Sequence, residues 1–513
     1  VRPEAYRYRD YVIRAFNSDK PYNRFLVEQI AGDELADYRR AKQISDDVYD
    51  NIVATGFLRM APDSTYAGIT AFVPDRLEII DDEIEVLTSS VMGLTVRCAR
   101  CHSHKFDPIP QRDYYRLAAV FKGAWDEHDW LEPKAKRYLP YVAHHERSEW
   151  EAGEKKSNAE VEAVKAQQEA KKITDKAAKE QIAAINKRRR PAPQVRALWD
   201  RGEPTPTYIL QRGNYLRPGR LVGPGVPSVL TDGKTPFAVQ SPYPGATGRR
   251  LTFARWLTQK DQPLTARVFI NRIWKHHFGH GLVRTLDNFG KAGMRPSHPQ
   301  LLDWLAVEFM RRDWSIKEMH RLMMLSRTYQ QSSQVDESLL RQDIANDLFS
   351  RMPMRRMEGE VLRDSLLALS GRLNERPYGP ADNVNARGDG LVVSMGQQDT
   401  WRRTIYVMSR RTTPLTILDN FDVPQMNPNC IDRGASIVAP QALHLLNNHR
   451  VHELSRFFAK RIRREAGTDP MDQIKRIYWL AVGRAPNANE SEIASRGYET
   501  LKRDWMKKLG GKQ

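Results

Sequence analysis

The chain has 513 residues, 40% of them hydrophobic, with 81 Lys and Arg against 63 Asp and Glu, a formal net charge of +18 and three cysteines. That length and apolar content exclude a disordered chain and leave room for two or three domains with real cores. Three cysteines exclude a disulfide scaffold, no stretch is apolar enough to span a membrane, and the excess of cations points to anionic partners: nucleic acid, acidic membrane surfaces, or sulfated and carboxylated polysaccharides.

The sequence opens on Val1, and its first pattern is already helical. We therefore expect a piece of a longer precursor, in which a missing signal peptide says nothing about export. Residues 6–31 read as two helices. Tyr8, Tyr11, Val12, Ala15 and Phe16 keep a 3.6-residue period, Asp19-Lys20-Pro21 breaks it, and Phe25, Leu26, Gln29 and Ile30 resume it. A short helix is expected near 49–59. Another runs from Ile79 to Met92, with Ile80, Ile84, Leu87 and Val91 on one face and Gly93 as its C-cap. Its run Asp81-Asp82-Glu83 reads as acidic residues suited to a helix N-terminus.

Next comes Val96-Arg97-Cys98-Ala99-Arg100-Cys101-His102-Ser103-His104-Lys105-Phe106-Asp107-Pro108. It contains a C-x-x-C-H string, the attachment signature of c-type haem. Two thiols three positions apart can each add to one vinyl group of the same porphyrin. The histidine directly after them can place a ring nitrogen on the iron. Cys98 and Cys101 are thus the candidate thioether anchors and His102 the candidate metal ligand, for a covalent haem c. A second reading uses Cys98, Cys101, His102 and His104 as a compact zinc knuckle, or the two cysteines as a redox dithiol. Four ligands within seven residues leave little room for a relaxed tetrahedron, and a redox dithiol does not need the histidine.

Pro108 and Pro110 then enforce an extended segment. Gln111 to Lys122 reads as a helix with Tyr114, Leu117, Ala118 and Phe121 inward, so the motif lies between two packed helices. From about Arg147 to Arg190 the chain is rich in Ala, Glu, Lys and Gln. Val161, Val164, Ile173, Ile182 and Ile185 are its apolar exceptions. This reads as a long solvated helix or helical hairpin, closed by Pro191 and Pro193. Its terminal run Lys187-Arg188-Arg189-Arg190 reads as a solvated helix end, with polyanion binding as the alternative.

Beyond it, Tyr208-Ile209-Leu210 reads as a strand and Arg212 to Pro227 as an irregular segment of functional length. From Thr247 on the chain is helical, through Thr265–Phe278 and two helices opened by the capping boxes Ser297-x-x-Gln300 and Ser315-x-x-Glu318. Met357 to Ser370 is a helix stopped by Gly371. Arg403 to Ser409 reads as a short strand, and a turn-rich stretch around Cys430 precedes helices at Pro440–Asn448, Val451–Arg464 and a final pair opened by Asp469-Pro470. The expected fold is mainly α with a few short strands: two helical domains, 1–146 and 194–513, separated by a charged, coiled-coil-like helical insertion at 147–193.

The stretches GLTVRCARCHSHKFDPIPQRDYYRLAAVF, TGRRLTFARWLTQKDQPLTARVFINRIWKHHFGHGLVRTLDNFG, RRMEGEVLRDSLLALSGRL and IVAPQALHLLNN resemble the large planctomycete secreted cytochrome-type proteins. These pair a planctomycete cytochrome domain with a planctomycete secreted domain, both of unknown function. The resemblance covers nearly the whole chain outside the charged insertion. It implies an exported protein, periplasmic or secreted, whose full-length relatives often carry a further small cytochrome c domain. It also implies a setting of polysaccharide-processing proteins. Carried over residue by residue, it supports Cys98, Cys101 and His102 and supplies no catalytic residue.

The expected function is a redox one, electron transfer or a haem-dependent oxidoreductase reaction, with a redox partner protein and an acidic polysaccharide as partners. The alternative is a non-catalytic, zinc-stabilised scaffold that binds anionic polysaccharide or proteins. Nucleic acid is not an expected partner, because an exported protein seldom meets it. For the sixth iron ligand Met60, Met92 and His128 are candidates. His104 is too close to His102 to reach the opposite face, so we expect it to contact the haem edge or the proximal ligand. With no distal ligand at a diagnostic spacing, an accessible iron and a catalytic role are favoured over a pure relay. His276, His277 and His280 end a helix and read either as cations suited to that end or as a metal group. The pairs Arg249-Arg250, Arg355-Arg356, Arg402-Arg403 and Arg410-Arg411 read as structural pairs, with an anionic pocket as the alternative. No phosphate-loop, zincin or hydrolase signature is present.

Overall fold

A computed structural model describes residues 4–65, 72–133, 137–335, 337–395, 401–410, 412–424 and 430–510. It is mainly helical, and the strands among the described residues form three short antiparallel pairs. The chain divides into two compact units, the larger reaching Met354 and the smaller beginning at Arg355.

The larger unit opens with α1 (Ala5–Asn17), α2 (Tyr22–Ala31), α3 (Asp46–Ala54), α4 (Val73–Leu87) and α5 (Gln111–Phe121). Then come β1 (Tyr138–Leu139), α6 (His144–Glu169), α7 (Asp175–Arg188), β2 (Val195–Arg196), β3 (Thr207–Leu210) and β4 (Pro218–Val222). It continues through α8 (Arg249–Leu257), α9 (Thr265–Phe278), α10 (Pro299–Arg311), α11 (Ile316–Met324) and α12 (Glu337–Gln342).

Helices from before and after the charged insertion share one core. Tyr22 of α2 stacks on Phe269 of α9 at 3.7 Å, and Phe121 of α5 meets Phe253 of α8 edge-on at 5.8 Å. Leu117, Phe253, Ile270 and Phe309 are fully buried in it. The division expected from composition followed the change in charge. The division by packing follows this core and falls at Met354, far beyond the insertion.

The insertion itself forms a hairpin. Val164, Ala178 and Ile185 are buried between α6 and α7, with Val161, Ile173 and Ile182 packed around them. These include all five apolar exceptions of that segment. The basic run at its end is tied inward: Arg188 pairs with Glu160 at 3.1 Å and Arg189 with Glu154 at 2.5 Å.

The smaller unit holds α13 (Gly359–Leu369), the hairpin β5 (Val384–Ala386) and β6 (Val392–Ser394), α14 (Thr416–Asn420), α15 (Ala439–Asn447), α16 (His449–Ala466), α17 (Pro470–Val482) and α18 (Ala488–Gly510). Arg402 is buried at its centre. It donates to Asp382 and to the carbonyls of Tyr378 and Pro380.

Two local expectations fail for clear reasons. Ser297 does not cap α10. His298 occupies that position and Pro299 starts the helix, while the Ser297 amide donates to the Leu282 carbonyl at 2.9 Å. Residues 403–409 are not a strand: Thr404–Tyr406 form a 3-10 turn, because the Thr404 amide and hydroxyl both donate to Asp364. Ser315 does cap α11, its hydroxyl accepting from the Glu318 amide at 3.1 Å.

Candidate functional site

The C-x-x-C-H string leaves α4 through an irregular end. A π turn at Thr88–Met92 closes on Gly93 with φ 60°, the left-handed cap that glycine supplies without strain. Arg97–Arg100 then form a 3-10 turn, with Cys101 as its last cap residue. At three residues per turn, side chains at i and i+3 eclipse. The order Arg-Cys-Ala-Arg-Cys therefore sorts itself: Arg97 and Arg100 fall on one edge, Cys98 and Cys101 on the next, and Ala99 is buried beneath.

The arginine edge is clamped to α4. Arg97 pairs with Asp82 at 2.6 Å, Asp81 at 3.0 Å and Glu78 at 3.0 Å, and its amide donates to Glu85. Arg100 joins Glu78 and Asp81. This corrects the reading of Asp81-Asp82-Glu83 as an N-terminal run. The helix starts at Val73, with Pro74 in its first turn, so these acids sit mid-helix. Burial holds the Asp81 carboxyl above its usual range, opposed by the Tyr114 hydroxyl, which donates to it at 2.8 Å, and then by Arg100 and Arg97.

The other side is stitched to α5 and β3. The Arg100 carbonyl accepts from the Tyr115 hydroxyl at 2.8 Å and from Gln111 Nε2 at 2.9 Å, and the same Gln111 nitrogen donates to the Leu210 carbonyl. Burial pushes the Tyr115 hydroxyl up, so it stays a donor.

Held this way, Cys98, Cys101 and His102 all face solvent, and both cysteines are free thiols. His102 Nδ1 lies 2.7 Å from the Ser103 carbonyl. A carbonyl can only accept, so Nδ1 carries the proton and Nε2 keeps the lone pair. This is the arrangement of a histidine ready to ligate a metal through Nε2.

His104 is built differently. Its side chain is buried, its Nδ1 accepts from the Asp107 amide at 2.9 Å, and its own amide donates to the Ile109 carbonyl. It folds the loop after the motif. Asp107 carries that loop across to residues 290–291: its Oδ1 accepts from the Lys291 amide at 2.6 Å. A Cβ on Gly290 would sit 2.5 Å from either carboxylate oxygen, so only glycine allows the approach.

His104 Nδ1 is therefore engaged within its own loop. Among the described residues no group of three or more His, Cys, Asp and Glu side chains converges to hold a metal ion. The exposed set offers two sulfurs and one Nε2 lone pair, the groups that a covalently attached haem would take.

Beside the motif lies a cleft of ≈ 330 Å³, lined by Leu77, Arg100, Tyr115, Leu210, Tyr215 and His128 among others. Cys98, Cys101 and His102 are not among its lining residues. Of the distal candidates, Met92 is buried in the core and Met60 is half-buried at the end of a 3-10 turn, while His128 is exposed on the cleft wall.

The structure separates the other histidines. His277 Nε2 meets His320 Nδ1 at 2.8 Å, whereas His280 meets the carbonyls of Gly281 and Asn346 at 3.2 Å. Several arginines of these pairs hold carboxylates within the fold. Arg249 meets Glu203, Arg250 meets Asp33 and Glu34, Arg356 meets Asp422, and Arg403 lies 3.6 Å from Asp364. Arg410 donates to the Met408 sulfur, and Arg411 lies outside the described residues.

Residues 1–126 match the family model PSCyt2, a protein of unknown function (DUF1549). Residues 249–498 match PSD1, a protein of unknown function (DUF1553). The chain belongs to the planctomycete cytochrome-type family that carries these two domains in this order. The C-x-x-C-H turn, its α4 clamp and its α5 stitches all lie within the first match, and the α6–α7 hairpin lies between the two. No curated protein and no solved structure matches the chain. Among the described residues no helix is long and apolar enough to cross a membrane.

Proposed function

We propose that this chain is an extracytoplasmic c-type haem protein with a redox role, working in the periplasm or outside the cell. The observation that carries the reading is the sorted 3-10 turn: two exposed free thiols on one edge, followed by a histidine whose Nε2 is left as the lone-pair nitrogen. Cys98 and Cys101 would hold the group as thioethers and His102 would ligate it. Haem bound there supplies one-electron chemistry, used either to pass electrons to a partner protein or to oxidise or reduce a substrate.

The chain's own contribution is positional. The Ser103 carbonyl fixes the His102 tautomer and ring angle. The Arg97 and Arg100 clamp keeps both thiols on the outer edge, and the hydrogen bonds from Gln111 and Tyr115 keep the turn from unwinding. Haem c attachment takes place outside the cytoplasm, which is why the reading includes export.

The test is an alkaline pyridine spectrum of protein produced with a cytochrome-maturation system, taken after acid-acetone extraction. Haem that stays with the polypeptide, and is lost in Cys98→Ser with Cys101→Ser, is the expected result. A haem-free polypeptide from a host that matures a control cytochrome overturns the proposal, and about one equivalent of zinc in its place restores the scaffold reading. Carbon monoxide added to the ferrous form then separates the two redox roles. Rapid binding shows an accessible iron suited to catalysis, and a low-spin spectrum indifferent to it shows two tight protein ligands suited to relay.

A further inference from the structure

Most arginines of the larger unit sit against a carboxylate. One cleft is different. It lies between α5, α8 and residues 226–240, has a volume of ≈ 780 Å³, and is lined by Arg112, Arg116, Lys234 and Arg255. Arg116, Lys234 and Arg255 pair with no carboxylate among the described residues. Arg112 has only a long contact, 3.4 Å, to the buried Asp113.

Two carboxylates share the wall, Asp232 and Asp261. Asp232 is occupied by its own turn, accepting from the Lys234 amide at 2.9 Å, the Thr235 amide at 2.8 Å and the Thr235 hydroxyl at 2.7 Å. Four cations against two carboxylates leave the lining with an excess of positive charge.

The cations are placed by packing. Arg112 and Arg116 are one turn apart on α5 and so share a face. The Arg116 guanidinium lies flat over the Gly225 backbone: a Cβ on Gly225 would come within 2.2 Å of it, and the Gly225 amide donates to the Arg116 carbonyl at 3.1 Å. The loop is tied to the same helix by Ser228, whose amide and hydroxyl both donate to Asp113 Oδ2 at 2.6 Å. Trp256 and Phe237, both half-buried, give the cleft aromatic faces, and Thr231, Thr235, Gln240 and Gln259 give it hydroxyl and amide groups.

We infer that this cleft binds an acidic polysaccharide, one whose sugars carry sulfate or carboxylate groups. Grouped cations that outnumber the carboxylates around them favour a polyanion. An aromatic face set among hydroxyl and amide side chains suits a ring with an apolar face and many hydroxyls better than a bare phosphate chain. The site is separate from the C-x-x-C-H turn and does not depend on haem, so binding is expected in protein with or without the cofactor.

The experiment is calorimetric titration of the full chain with dextran sulfate, with polygalacturonate and with neutral dextran, at roughly 0.15 M salt, where weak surface electrostatics are screened. Single-stranded oligothymidylate is the nucleic-acid arm. The variant Lys234→Glu with Arg255→Glu is compared with Lys179→Glu and Lys187→Glu on the exposed face of α7, which changes net charge equally. Thermal unfolding confirms that both variants fold. Binding of one or both acidic polymers, weakened roughly tenfold or more in the cleft variant and by less than about twofold in the α7 variant, is expected. Equal losses in the two variants, no binding to either acidic polymer, binding of neutral dextran as tight as that of the acidic polymers, or tighter binding of the oligonucleotide through the same residues would each overturn the inference.

Discussion

Cys101 and Gly213 meet so closely that the glycine has no room for a side chain. A Cβ at Gly213 would lie 2.8 Å from the Cys101 sulfur, and its backbone has φ +72°. One wall of the thiol is therefore the bare backbone of the turn between β3 and β4.

Gly213→Ala is expected to cost roughly 1–2 kcal/mol from the left-handed backbone alone. It should also turn the Cys101 sulfur out of its present rotamer. The check is twofold: the unfolding midpoint, and the alkylation rates of Cys98 and Cys101 followed by peptide mass. Cys101 should change rate while Cys98 does not. Equal rates in variant and parent would show that the contact does not position the thiol.

Arg250 and Glu34 give a pH signature. Arg250 is buried and donates to both oxygens of Asp33, at 2.9 and 2.8 Å, with Glu34 at 3.2 Å. Burial pushes the Glu34 carboxyl up to about 8, against the pull of Arg250 and with help from Asp33. Its Oε2 accepts from the Leu251 amide at 2.9 Å, and its Oε1 lies 3.2 Å from Arg250 Nη2. The folded chain thus binds a proton at Glu34 that the unfolded chain releases near the ordinary glutamate value. Between that value and about 8 the folded state holds more protons, so this group makes stability fall as pH rises, with no further change above about 8. Glu34→Gln should remove that slope, and its melting temperature should gain on the parent's as pH rises. A constant difference across the window would sink the assignment. Arg250→Ala, which leaves Asp33 buried without its partner, is expected to cost about 3–5 kcal/mol.

What the sequence made legible was local. The periods of α1, α2 and α5, the Gly93 cap, the Ser315 cap and the apolar residues of the hairpin are all contacts or conformations within a few residues. The C-x-x-C-H string is equally local. Some of its supports were hidden because they come from farther along the chain: Gln111 bridges to Leu210, and Asp107 reaches Lys291. Elsewhere in the core, the Arg250–Asp33 pair spans 217 positions. Asp81 was misread for a related reason. Its meaning depends on where α4 begins, and Val73-Pro74 is a weaker start signal than the acidic run itself. A core shared by helices on both sides of the insertion leaves no mark in composition.

Gln111 offers a direct test of how the motif turn is held. Its amide donates to the carbonyls of Arg100 and Leu210, both at 2.9 Å. Gln111→Ala leaves the Arg100 carbonyl with Tyr115 alone and loosens the join between α5 and β3. A loss of about 1–2 kcal/mol is expected. Amide hydrogen exchange should accelerate in peptides covering 97–101 and 207–211, with the α6–α7 hairpin unchanged. Faster exchange everywhere would mean general destabilisation, and no change at 97–101 would show that Tyr115 and the arginine clamp suffice.

The His277–His320 contact gives an acid-side prediction of opposite sign to Glu34. The two ring nitrogens at 2.8 Å share one proton, so at least one ring must be neutral for the bond to exist. Burial lowers the His320 value below its ordinary 6.5, with Asp19 pulling weakly the other way. The unfolded chain therefore binds a proton at His320 at a pH where the folded chain does not. Stability from this group is complete above the unfolded value, falls as pH drops below about 6.5, and levels off below the depressed folded value. Tyr329 packs edge-on against His277 at 5.4 Å, which keeps the pair partly shielded from water. His320→Phe removes the titration while keeping a ring. The parent should lose more in melting temperature than this variant between about pH 7.5 and about pH 5, a range that brackets the ordinary histidine value. Equal losses in the two proteins would show that His320 is not what titrates.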